Sequence, residues 1–193
     1  DLKIAIAGLG VVGAEVARQL INQMAHITTV AGRRLSVVAV SARSRDADRG
    51  FPLDGIDWHD DPLALAQRGD IDVIVEMIGG ADGVALDLAR ASLSAGIDFV
   101  TANKAMVAHH GTELARLAEA HNASLTFEAA IAGGIPAVKC LREGLAGNRI
   151  SRIAGILNGT CNYILTTMEQ TGRDFDDVLS DAQRLGYAEA EPS

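Results

Sequence analysis

An α/β fold built on a doubly wound parallel sheet, followed by the start of a second α+β domain, is what this chain of 193 residues predicts. Three observations carry that prediction. Short apolar runs alternate with longer segments whose apolar residues recur every three to four positions, the pattern of parallel strands joined by crossover helices. The first apolar run enters Gly8-Leu9-Gly10-Val11-Val12-Gly13 and then a helical pattern, the setting of a phosphate-binding turn and hence of a Rossmann-type sheet. The turn signal Gly133-Gly134-Ile135-Pro136 falls where the sheet pattern ends. It divides a dinucleotide-binding domain over residues 1–131 from the beginning of a substrate-binding domain over 132–193.

Each element follows from its residues. The run Ile4-Ala5-Ile6-Ala7 marks a strand over 2–7, and Val12, Val16, Leu20 and Ile21 mark a helix over 11–24. Val37-Val38-Ala39-Val40 marks a strand over 36–41. The loop over 44–60 carries Gly50, Pro52 and Gly55 and is long for such a connection, as expected of an excursion beside a ligand. Asp61-Pro62 opens a helix over 61–68, and Gly96 closes another over 82–95. Further strands are predicted over 72–78, 98–101, 124–129 and 151–157, and further helices over 105–121, 135–146, 160–169 and 174–185. Asn158-Gly159-Thr160 reads as a cap and turn at the start of the helix over 160–169.

With 48% hydrophobic and 22% charged residues the chain can bury a sizeable core. No apolar run approaches the roughly 18 residues that span a bilayer, and the first residues do not read as a signal peptide, so the cytoplasm is the expected compartment. Cys140 and Cys161 form no C-x-x-C pair and read as buried thiols used as small apolar residues. A net charge of −8 argues against nucleic acid or an anionic membrane as partner. Any bound anion needs a local site.

The glycine segment offers one. Gly8 allows a sharp turn off the strand, Gly10 lets a pyrophosphate approach the backbone, and Gly13 allows helix and sheet to pack closely. The helix start at Val11 and Val12 presents free N–H groups to the phosphates. An NAD site usually offers Asp or Glu after the second strand, whereas this strand ends at Ser41-Ala42-Arg43. Arg43, with Arg45 and Arg49 behind it, suits a 2′-phosphate and tilts the expectation to NADP, with NAD still open and a solvated charge cluster as the alternative. Ile78 and Gly79 end the strand that should face the nicotinamide. Glu76, in the same strand, must be paired or lie at the site mouth. Lys104, after Phe99-Val100-Thr101-Ala102-Asn103, is either a surface charge or a group that polarises or protonates a substrate carbonyl during hydride transfer.

Taken together, the glycine segment, Thr101-Ala102-Asn103-Lys104-Ala105, the run Phe127-Glu128-Ala129-Ala130-Ile131-Ala132-Gly133-Gly134-Ile135-Pro136, the run Gly155-Ile156-Leu157-Asn158-Gly159-Thr160-Cys161-Asn162-Tyr163-Ile164-Leu165, and Leu185-Gly186-Tyr187-Ala188-Glu189-Ala190-Glu191-Pro192 resemble the homoserine dehydrogenases. The resemblance implies reduction of L-aspartate 4-semialdehyde to L-homoserine with NADPH or NADH, on the branch to threonine, methionine and isoleucine, by a homodimer. It implies that Lys104 lies near nicotinamide and substrate, that Gly186 touches the cofactor, and that Thr160 and Glu189 bind the amino-acid end of the substrate. It also implies a monovalent cation such as sodium, held by Glu128 and the carbonyls of Ile131, Gly133 and Ile135. An aspartate for substrate and a second lysine for proton donation follow these motifs in the family, so the chain is expected to be part of a longer protein and inactive alone. The alternatives are a cofactor-binding module without catalysis and another small-aldehyde dehydrogenase on the same fold.

Overall fold

A computed structural model describes residues 1–156 and 158–188, in two compact units, Asp1–Leu145 and Ala146–Ser193. In the first unit the strands β1 (Leu2–Ala7), β2 (Leu35–Ser41), β3 (Asp57–His59), β4 (Val73–Glu76), β5 (Asp98–Thr101) and β6 (Leu125–Thr126) form one sheet in the order β3-β2-β1-β4-β5-β6. Every neighbouring pair is parallel. The chain therefore builds outward from β1 to one edge, returns to the middle, and builds outward to the other. Its switch point lies between β1 and β4, where such sheets bind ligands at the carboxyl ends of the strands.

Alternation along the strands feeds two apolar layers. Ala5, Ala7, Ala39, Ile74 and Phe99 face one side and pack with Leu86, Leu88 and Leu93 of α4 (Val84–Ser94) and Met106 and Leu114 of α5 (Lys104–Ala120). Ile4, Ile6, Val40 and Val75 face the other side and pack with Val16, Ala17 and Leu20 of α1 (Val11–Asn22). Helices thus cover both faces, as the sequence predicts. The helix stop at Gly96 is also present, with φ +75° and Ile97 N–H donating to the Ser92 carbonyl at 2.9 Å.

Several elements differ from the sequence reading. The predicted helix over 11–24 breaks at Gln23, and a second helix α2 (Met24–Ala31) follows. None of its residues is buried, so no core-facing stripe announces it. Strand β3 lies inside the long loop and pairs only Asp57, Trp58 and His59 with β2; three residues are too few to show a period. Arg68 holds this edge, donating to Asp57 Oδ2 at 2.6 Å and to both oxygens of Asp70. The Asp70 carboxyl is consequently held below the usual carboxylate range. A short helix α3 (Leu63–Ala66) occupies part of 61–68, and Asp61 Oδ1 accepts the Leu63 N–H at 2.9 Å.

At the other edge β6 has two residues rather than six, because the chain turns at Phe127 into α6 (Glu128–Ile131). The helix expected over 135–146 becomes α7 (Ala137–Lys139) and one π-helical turn, Cys140–Gly144. Neither buries a residue, so packing does not enforce a regular α-helix here. Cys140 and Cys161 are free and exposed, contrary to the expectation of buried thiols.

The described part of the second unit is helical. Residues 151–156 form no strand, since a strand needs a partner for its N–H and C=O groups and this unit supplies none among the described residues. Asn158 caps α8 (Gly159–Thr171) as predicted, its Oδ1 accepting the Cys161 N–H at 2.9 Å. Ile164 of α8 packs on Val178 and Ala182 of α9 (Phe175–Arg184). Arg173 and Arg184 both bind Asp181 and hold its carboxyl below the usual range. Among the described residues no helix is long and apolar enough to cross a membrane.

Candidate cofactor site

The glycine turn shows why each glycine is there. Gly8 leaves β1 with φ +96°, and a Cβ on it would meet the Met77 carbonyl oxygen at 2.6 Å. A Cβ on Gly13 would lie 1.8 Å from the Gly8 carbonyl oxygen. These two are demanded by the protein's own packing. Gly10 is different: a Cβ there would meet nothing within 4 Å. It precedes α1 and no side chain caps that helix, so the first-turn N–H groups remain available to an anion. Val11, at 92% exposure, and Val12 stand uncovered beside it.

A cavity of about 440 Å³ opens beside this turn, at the carboxyl ends of β1, β2 and β4. Gly8, Gly10, Arg43, Arg49 and Ile78 of the predicted residues line it, whereas Val11, Val12, Gly13, Arg45, Gly79 and Lys104 do not. The three arginines after β2 have separate fates. Arg49 spends its guanidinium on the protein, donating to the carbonyls of Leu9 at 3.3 Å, Ala47 at 2.9 Å and Ser44, and stacks over Trp58 with its centre 5.3 Å from the ring centroid. Arg45 is exposed and away from the cavity wall. Arg43 is exposed at the wall, with no ion pair or side-chain hydrogen bond among the described residues. Asp60 also lines the cavity, delivered by the unpredicted strand β3. The long glycine- and proline-bearing loop was its only signal in the sequence.

At the ends of β4 and β5, Glu76 is fully buried and fully paired. Its Oε1 accepts the N–H groups of Ile78 at 2.6 Å and Gly79 at 2.9 Å, while Oε2 accepts the Thr101 hydroxyl at 2.5 Å. Asn103 caps α5 through the Met106 N–H at 3.0 Å and donates from Nδ2 to the Gly80 carbonyl at 2.7 Å. Lys104 is the next residue, exposed at the first position of α5.

Glu128 ends its carboxylate on backbone, with Oε1 accepting the Val138 N–H at 3.0 Å and Oε2 the Lys139 N–H at 2.9 Å. The Ile135 carbonyl accepts the Ala137 N–H at 2.8 Å. Among the described residues no group of three His, Cys, Asp or Glu is placed to hold a metal. In the second unit the Thr160 hydroxyl donates to the Tyr187 carbonyl, and Gly186 turns the chain with φ +77° after α9. Glu189 lies outside the described residues.

A parallel sheet in this strand order, with a glycine turn into a helix and a cavity at the switch point, defines a dinucleotide-binding protein of the Rossmann type. Residues 8–128 match the family model described as "Homoserine dehydrogenase, NAD binding domain", and residues 136–193 match the model described as "Homoserine dehydrogenase". The chain belongs to the homoserine dehydrogenase family and carries its nicotinamide-dinucleotide domain. It is 44% identical over 192 residues to the homoserine dehydrogenase of Neisseria gonorrhoeae, covering 100% of this chain and 44% of that protein. To the Corynebacterium glutamicum enzyme it is 44% identical, over 98% of this chain and 42% of the relative. A solved homoserine dehydrogenase from Thiobacillus denitrificans superposes with a TM-score of 0.84 at 43% identity, covering 99% of this chain and 44% of that one. A hyperthermophilic archaeal homoserine dehydrogenase in complex with NADPH gives 0.78 at 29% identity, over 100% of this chain and 63% of that one. The chain thus spans less than half the length of these curated relatives.

Proposed function

We propose that the protein containing this chain reduces L-aspartate 4-semialdehyde to L-homoserine with NADPH, in the biosynthesis of threonine, methionine and isoleucine. The observation that carries the reading is the match to the two family models over residues 8–128 and 136–193. In it residues 1–131 hold the cofactor and residues 132–193 begin the substrate domain of a cytoplasmic homodimer. Oxidation of L-homoserine with NADP by the full-length protein, against L-malate and glyceraldehyde 3-phosphate, tests it. Turnover of either competitor instead would make it a different dehydrogenase on this fold, and cofactor binding without turnover a non-catalytic module.

The residues present suit the cofactor. The open face of Gly10 and the uncapped start of α1 at Val11 and Val12 would take the pyrophosphate, and Gly8 and Gly13 hold that start against the sheet. Ile78 and Gly79 would meet the nicotinamide half, and Gly186 would add a contact. When bound, the reduced nicotinamide supplies the hydride. Lys104 polarises the aldehyde and stabilises the negative charge that develops on its oxygen, while Thr160 and Glu189 bind the substrate's amino-acid end. Glu128, with the carbonyls of Ile131, Gly133 and Ile135, offers the oxygen donors that a hard monovalent cation such as sodium prefers, each carboxylate oxygen keeping a lone pair beyond its one N–H bond.

Arg43 carries the choice of NADPH over NADH. The Arg43→Ala variant is expected to bind NADPH about 10- to 100-fold more weakly, the scale of charge-assisted hydrogen bonds, with NADH binding nearly unchanged. Titration of the nicotinamide fluorescence measures both. Equal weakening of the two would remove Arg43 from the 2′-phosphate.

A further inference from the structure

Glu76 is a buried carboxylate to which the chemistry just described gives no role. Burying such a group is expensive unless every oxygen is satisfied, and an apolar side chain in a central strand gives comparable stability with less risk. Its partners are specific. Oε1 gathers two successive backbone N–H groups, from Ile78 and Gly79, and so folds the strand's exit back on itself. Oε2 reaches the neighbouring strand, where Thr101 is the residue paired with Glu76 at the end of the β4–β5 ladder.

The link continues from Thr101. Its Oγ1 accepts the Asn103 N–H at 2.9 Å, and the Asn103 side chain closes a ring by donating to the Gly80 carbonyl while capping α5. The loop being held contains Gly79 and Gly80, at φ +85° and +90°. Glycines at such angles have the widest freedom to lose, and this loop carries Ile78 at the cavity wall. One buried carboxylate therefore ties two strand ends at the point where backbone pairing stops.

We propose that Glu76 is a positioning residue: through Thr101 and Asn103 it holds the Ile78–Gly80 backbone and the start of α5 in mutual register, so that the nicotinamide half of the cofactor finds a preformed surface. The inference rests on the cofactor reading above. It makes the two halves of the dinucleotide separable, because Glu76 bonds nothing on the Gly8–Gly13 turn or beside Arg43.

Glu76→Gln and Thr101→Val test it in the full-length protein. With a glutamine oxygen toward Ile78 and Gly79, its amide donates to Thr101 and the threonine proton loses its acceptor. Valine removes that hydroxyl with little change of shape and serves if the glutamine variant fails to fold. The probes are NADPH and 2′-phospho-ADP-ribose, which lacks the nicotinamide. Both variants are expected to bind NADPH at least about tenfold more weakly and 2′-phospho-ADP-ribose within about twofold of the parent. Equal loss of both ligands would mean a general structural role and overturn the proposal, as would unchanged NADPH binding. A parent protein that binds neither ligand overturns the cofactor reading itself, and this inference with it.

Discussion

Lys104→Ala should lower turnover of L-aspartate 4-semialdehyde by about 10²-fold or more, the lower range for acid–base and electrostatic groups, while leaving the folded protein as stable as its parent. The loss of turnover follows from the role proposed for Lys104, and the unchanged stability follows from its position. Lys104 is the first residue of α5 and is exposed, and the structure gives it no ion pair among the described residues. A cation there opposes the positive end of the helix dipole, so its removal relieves an unfavourable interaction. The thermal midpoint should stay level or rise slightly.

The cap beside it already has what it needs from Asn103, whose side chain accepts the Met106 N–H. Loss of the lysine therefore leaves the start of α5 intact. Steady-state rates in both directions, together with a thermal melt, separate the roles. A drop in melting temperature at unchanged turnover would reduce Lys104 to a surface charge. Lys104→Arg should recover part of the rate, since the charge remains but is spread over a planar group.

Gly13→Ala is the substitution with the largest expected effect on the fold. The added carbon would lie 1.8 Å from the Gly8 carbonyl oxygen and 3.3 Å from the Met77 Cβ. Backbone cannot yield as a flexible side chain does. Helix α1 must lift from the sheet, at an expected cost of about 3 kcal/mol or more, the upper end for overpacked sites. For a domain of this size that is a fall in melting temperature of about 6–12 °C. Dinucleotide binding should fail with it, because the start of α1 is displaced.

Gly10→Ala supplies the contrast. Its Cβ meets nothing within 4 Å and its φ is −70°, which alanine adopts freely. Stability should be unchanged while NADPH binding falls, since the methyl group would occupy the open face proposed above for the pyrophosphate. Loss of stability at Gly10, or its retention at Gly13, would contradict the division of labour between the two glycines.

Much of this arrangement was legible because its causes are local. The exit from β1, the start of α1 and the stop at Gly96 depend on residues within a few positions of one another, and glycine types announce them. The absence of an acid after β2 was equally legible, and of the charged residues at the cavity wall, Arg43, Arg49 and Asp60, Arg43 is the one whose side chain has no ion pair or hydrogen bond among the described residues. Glu76 showed only that it must be paired or lie at the site mouth. The sequence did not name Thr101, 25 positions away, because that bond exists only where β4 and β5 lie side by side.

Arg49 teaches the same lesson from the other side. As a sequence feature it was one of three arginines available to a phosphate, yet it is bound to carbonyls on the glycine turn and its own loop. The predicted strand over 151–157 carries the right apolar residues, but residues 151–156 have no strand to complete their hydrogen bonds among the described residues. By itself the sequence determined the alternation of strands and helices, the glycine turn and the family motifs, since periodicity and backbone freedom act over short spans. Strand order, the edge strand β3, the closed pairing of Glu76 and the commitment of Arg49, but not Arg43, to backbone carbonyls were decided only by the tertiary structure. Each depends on which distant residues are brought within a few ångströms, and burial then makes an unpartnered polar group too costly to leave.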